Sequence, residues 1–232
     1  MDVAMQEMQD GLSGDARKCR QCGTCCLAGG PALHGQDLAL IRNGSLPLDC
    51  LITIRKGELA SDPLTNRTRS VGYELVKICG TGREWRCFYY KAESGCSIYA
   101  LRPAACRALR CWEPEEILAL IGKDMLTRLD ILAPDHFLRP LAAEHEEICP
   151  CPDMEMVRDA VSSGKLKDLG GLQSLVDADM RFRGRVVKEH GLTLAQELFA
   201  FGRPLFQLLQ AVGITCIETA GRIRLSLPKK PR

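Results

Sequence analysis

Four thiols within eight residues constrain this chain more than any other stretch: Cys19, Cys22 and Cys25 recur at every third position and Cys26 follows directly. A buried free cysteine is only a small hydrophobe and gains nothing from clustering, so packing does not account for the run. A second group lies at Cys87, Cys96, Cys106 and Cys111, the last three inside GCSIYALRPAACRALRCW. Together the eight thiolates suffice for two four-coordinate zinc sites or for an iron-sulfur cluster with ligands to spare. Neighbouring side chains leave the backbone in different directions, so Cys25 and Cys26 are expected to serve two metals. Two adjacent mononuclear sites or one polynuclear centre would satisfy that, with the N-terminal loop folded against the 87–111 segment. Arg20, Arg102, Arg107 and Arg110 are interleaved with the thiols. Their guanidinium groups are suited to offset thiolate charge and donate to sulfur.

CRQCGTCC followed by GCSIYALRPAACRALRCW resembles the CxxCxxCC cysteine-cluster family, the YkgJ-type proteins described as zinc- or iron-chelating or as Fe-S-cluster-containing. The TIRKGE, ELVKICG, EWRCFYY and FGRPL stretches are similar to longer bacterial members. The resemblance implies a metal-binding bacterial cytoplasmic protein. Flagellin lysine methylases share a related cysteine motif, which admits an enzymatic role. Cys50, Cys79, Cys149, Cys151 and Cys216 stand outside the shared pattern.

The 232 residues, 46% hydrophobic and 26% charged, match one sizeable soluble domain or two small ones. A net charge of +2 gives no strong attraction to nucleic acid or anionic lipid, so neither is expected as a partner. The opening MDVAMQEMQDGLSGD has no basic and apolar leader pattern, and no run of 18 apolar residues occurs; a cytoplasmic location without membrane insertion is expected. An odd count of thirteen cysteines at ligand-like spacing argues against a disulfide framework. The terminal Pro-Lys-Lys-Pro-Arg reads as a solvated tail.

The fold class expected is α+β, mainly α. A metal-stabilised cysteine-rich module over 1–113, with a small β-hairpin, packs against a helical region over 114–232 that ends in a second hairpin. A short helix is expected within 1–18, and two more at 36–42 and 49–56. Residues 61–70 read as a polar loop, and strands at 73–78 and 84–90 as a hairpin about Gly80-Thr81-Gly82. Pro103 starts a helix carrying Cys106. Amphipathic helices follow over 115–132, 134–144, 153–162, 172–189 and 194–212, with Gly191 as a stop and Gly202-Arg203-Pro204 as a break. Residues 214–219 and 222–227 close the chain as a hairpin. Cys50 and Cys216 are assigned to packing, His34 to a hydrogen-bonding or surface role, and the Cys149-Pro150-Cys151 patch to a surface loop.

Walker-type, GxSxG and HExxH patterns are missing, and four histidines offer little for a histidine-rich catalytic metal site. The function expected is a metal-binding protein holding an iron-sulfur or iron centre for redox or substrate-activating chemistry. The alternative is a zinc-stabilised, non-catalytic binding or adaptor module. Either would act on an unidentified protein or small molecule, with Cys19, Cys22, Cys25, Cys26, Cys87, Cys96, Cys106 and Cys111 as ligands.

Overall fold

The computed structural model describes residues 19, 21–62, 65 and 67–228. The helix expected within 1–18, Arg20 and the last four residues of the basic tail lie outside these. From the cysteine run the chain enters one helical turn, α1 (Thr24–Leu27), and a 3-10 turn then leads into α2 (Leu38–Arg42). Residues 49–56 do not form the expected helix. After a 3-10 turn at Leu48–Cys50 they continue as β1 (Leu51–Ile54), with all four side chains buried. Burial on both faces erases the alternation that marks a strand, and a short apolar run of this kind cannot be told from a helix by period.

The expected polar loop at 61–70 holds part of a hairpin, because β2 (Leu59–Asp62) pairs antiparallel with β3 (Arg67–Ser70). β4 (Leu75–Ile78) pairs with β1, from Leu51 opposite Ile78 to Ile54 opposite Leu75, and not with the segment that follows it. A hairpin does form here, but Gly80 and Thr81 belong to its first strand and the turn is residues 82–85; the strands β5 (Gly80–Thr81) and β6 (Arg86–Cys87) are two residues each. A further miniature pair joins β7 (Tyr90–Lys91) to β8 (Gly95–Cys96). After Pro103 comes α3 (Ala104–Ala108), as the sequence leads one to expect.

The helix expected over 115–132 is broken in two, α4 (Glu115–Leu120) and α5 (Arg128–Ile131). Between them Gly122 and Asp124 take positive φ, and Leu126 runs extended, donating to Leu33 O and accepting from Val76 N–H. Those tertiary bonds replace the helical ones. Next come α6 (Leu138–Ile148), starting later and ending later than expected, α7 (Met154–Ser162) and α8 (Gly170–His190), which stops at Gly191 in the left-handed region. α9 (Leu194–Phe201) and α10 (Leu205–Ala211) are separated at Gly202-Arg203-Pro204, and β9 (Thr215–Thr219) pairs with β10 (Arg222–Ser226) as the closing hairpin. The architecture is α+β and mainly helical. No helix of the described residues is long and apolar enough to cross a membrane.

One core cluster joins Leu51, Val76, Ile78 and Cys87 to Leu138, Phe182, Phe199 and Phe201. A second gathers Met154, Val176, Leu205, Leu208 and Leu209. The β1–β4 ribbon is pinned to the helices by polar contacts as well. Thr53 donates to Phe199 O at 2.5 Å, and the fully buried Arg55 makes two bonds to Glu146, at 3.0 and 3.1 Å, and donates to Cys149 O. Arg128 adds 2.8 Å contacts to Glu74 and Glu146. One face of β4 therefore belongs to a well-fixed core, which leaves its other face to define a site.

Candidate metal centre

The cysteine loop reaches its place through Gly23. Its φ of +81° suits glycine, and a Cβ there would lie 2.4 Å from the Tyr90 ring. The loop thus packs directly on β7. Cys87 sits on β6 and Cys96 on β8, while Cys106 projects from α3. Helix α3 has no cap from its own Pro103. Its first N–H, Ala104, is instead bonded at 2.7 Å by Asp37 Oδ1, and Asp37 Oδ2 accepts from His34 N–H at 3.0 Å. A buried carboxylate at a helix start satisfies an orphan donor and favours the dipole, so Asp37 fixes the helix that carries Cys106. Sequence reasoning passed over Asp37, whose second partner lies 67 residues away.

All eight candidate thiols, Cys19, Cys22, Cys25, Cys26, Cys87, Cys96, Cys106 and Cys111, line one cavity of about 1250 Å³. Cys50, Cys79, Cys149, Cys151 and Cys216 do not line it. Cys25 and Cys26 do not diverge as far as side-chain direction alone suggests: their sulfurs are 4.0 Å apart. Among the described residues no three of the cavity sulfurs lie within 4.8 Å of one another. Burial, reinforced by the neighbouring Cys25, Cys87 and Cys96, pushes Cys26 up to about 12. Burial, with Cys87, Cys25, Cys26 and Cys96 beside it, does the same to Cys106. Cys87 is raised by burial and eased by the Tyr89 N–H. These sulfurs sense one another, and a cation among them would release their protons and remove the repulsion. The donor set therefore fits a thiophilic metal centre.

The surroundings correct some expectations, for the arginines and for the Cys149-Pro150-Cys151 patch, and agree with those for His34 and Cys50. Arg102 lines the cavity, lying 3.6 Å over the Tyr99 ring, but Arg107 turns to Gln36 and the Arg102 carbonyl, and Arg110 pairs with Glu113 and Glu116. Only one of these three arginines faces the thiols. His34 is buried and takes a 2.9 Å bond to Lys123 O through Nδ1. Cys50 is a satisfied core thiol, donating to Pro47 O and accepting from Tyr89 O–H. The Cys149-Pro150-Cys151 patch is not a surface loop at its thiols, since Cys149 is fully buried beside the Arg55 guanidinium.

Cys149 also belongs to the one compact donor trio of the described residues, with His145 and Asp179. Its chemistry does not suit a cation. Asp179 Oδ1 meets His145 Nε2 and Arg183 Nε, each at 2.7 Å, and Oδ2 takes the Leu205 N–H at 2.8 Å. Burial lowers the His145 pKa, with Arg55 and Arg183 acting in the same direction and the Asp179 contact opposing them. The carboxylate is already surrounded by donors and the nearest charges are guanidinium groups, so the trio is a polar core network.

In comparison with known proteins, residues 18–123 match the CxxCxxCC family, described as a putative zinc- or iron-chelating domain. Neither the curated proteins nor the solved structures contain a match.

Proposed function

We infer, from the premise that this chain belongs through residues 18–123 to the CxxCxxCC family, that its eight cavity cysteines hold an iron-sulfur or polynuclear iron centre. Bound there, such a centre would supply one-electron transfer or polarise a substrate atom at an open iron position. The observation that supports this reading is the spread of the thiols around a single cavity. Sulfurs on one tetrahedral zinc stand about 3.8 Å apart, given a Zn–S bond of about 2.3 Å. Cys25 and Cys26 approach that spacing, whereas no trio of cavity sulfurs does. A wider centre suits the wider set. Cys87 and Cys96 reach the cavity from paired miniature strands, and Cys106 from a helix held by Asp37, so three of the eight donors rest on hydrogen-bonded scaffold.

The test is metal and acid-labile sulfide analysis, with a visible spectrum, on protein purified without oxygen or added metal. Iron with labile sulfide and broad absorption toward the blue is the expected result. About two zinc ions per chain and no colour would overturn it in favour of a closed, structural module.

A further inference from the structure

The cavity extends well beyond its thiols. Small-molecule sites commonly enclose about 300–1,000 Å³, and this one measures about 1250 Å³. Away from the cysteines one stretch of its wall is apolar, built from Tyr73, Leu75, Ile117, Leu120, Ile121 and Met125. Strand alternation accounts for one wall: Val76 and Ile78 enter the core, so Leu75 and Lys77 face the other way, into the cavity. Tyr73 joins two walls, since a Cβ on Gly122 would stand 3.3 Å from its hydroxyl.

The charges lining this space are unevenly matched. Arg203 is bound to Glu58 at 2.8 Å, and Arg69 lies 3.9 Å from Glu155, which also accepts from Ser70 N–H and Arg158. Asp62 accepts from Thr65 at 2.7 Å. Arg102 is stacked on Tyr99 at the cysteine end. Arg102 has no carboxylate partner among the described residues, and Lys77, on the same strand face as Leu75 and with its Nζ 3.7 Å from where a Cβ on Gly29 would stand, has neither a side-chain hydrogen bond nor a carboxylate partner among them. A cation there awaits an anion, and the adjoining apolar wall selects what that anion is attached to.

We propose that the cavity is a binding chamber for an organic acid with an extended apolar body, the carboxylate pairing with Lys77 and the body lying along Leu75, Ile117 and Leu120. This deepens the metal-centre reading, on which it rests, by naming the substrate class presented to the thiol end. Both tryptophans of the chain, Trp85 and Trp112, line the cavity and provide the readout.

Anaerobically purified protein of measured metal content would be titrated with octanoate, decanoate and 1-decanol while tryptophan emission is followed. Saturable binding is expected, tightening about fourfold per added methylene. Lys77→Gln should weaken decanoate about 10- to 100-fold, the worth of a charged hydrogen bond, and leave decanol and metal content unchanged. No saturable binding, or equal binding of acid and alcohol, overturns the proposal. So does a Lys77→Gln protein that loses metal while decanoate affinity stays put, because the lysine would then serve the thiolates. Metal content and emission are read on one sample. Decanoate binding that depends on Lys77 in protein without iron would uphold the chamber and refute the iron centre, and the reverse pattern would do the opposite.

Discussion

Asp179→Asn separates a structural reading of the His145, Cys149 and Asp179 trio from a metal-site reading, and its cost follows from the contacts. Burial alone would push this carboxyl up, yet the His145 bond, the Arg183 charge and the Leu205 N–H together hold it at about 2, below its ordinary 3.8. A group so depressed contributes about 2.5 kcal/mol at neutral pH. Removing the charge also strands Arg183, 4% exposed, beside the carbonyls of Phe201 and Gly202. Breaking a buried pair from one side costs about 3–5 kcal/mol. The variant should therefore lose about 2.5–5 kcal/mol, or about 5–20 °C in Tm for a chain of this size. Circular dichroism melts and urea titrations would read it, with metal content measured in parallel and expected to be unchanged. Because the folded pKa lies below the unfolded one, the gap from wild type is full above about pH 4 and closes as pH falls toward 2. Arg183→Met in the Asp179→Asn background should recover part of the loss, with a coupling of about 2 kcal/mol. A cost under about 1 kcal/mol, strict additivity, or loss of metal would refute the reasoning.

Two further perturbations address the cysteine module. Cys22→Ser and Cys106→Ser should each lose metal and expose residues 19–112 to faster amide exchange, because metal-binding free energy is also folding free energy, whereas Cys216→Ser, whose thiol bonds Phe206 O away from the cavity, should keep its metal; equal losses from all three would defeat the ligand assignment. Gly23→Ala places a methyl group 2.4 Å from the Tyr90 ring at a φ of +81°, so it should lower metal occupancy without unfolding the helical half, as read by metal analysis and far-ultraviolet circular dichroism.

What could be read from the sequence divides along a physical line. Features written in local chemistry were legible: the spacing that marks eight thiols now found around one cavity, the Pro103 helix start, the stop at Gly191, the break at Gly202-Arg203-Pro204 and the closing hairpin. Features decided by a distant partner were not. Leu51–Ile54 becomes a strand because Leu75–Ile78 lies beside it, and 115–132 breaks because Leu126 is claimed by Leu33 and Val76. Asp37 matters through a helix 67 residues downstream. The chamber is illegible for the same reason. Leu75-Val76-Lys77-Ile78 alternates plainly, but alternation says only that two faces differ. Val76 and Ile78 are buried in a core that α6, α8 and α9 share with first-half residues such as Leu33, Leu46 and Leu51, so distant segments determine that Lys77 faces the cavity. Loosening that core should therefore misplace Lys77 before it disturbs the cysteine loop, whose seat on Tyr90 is made within the first half.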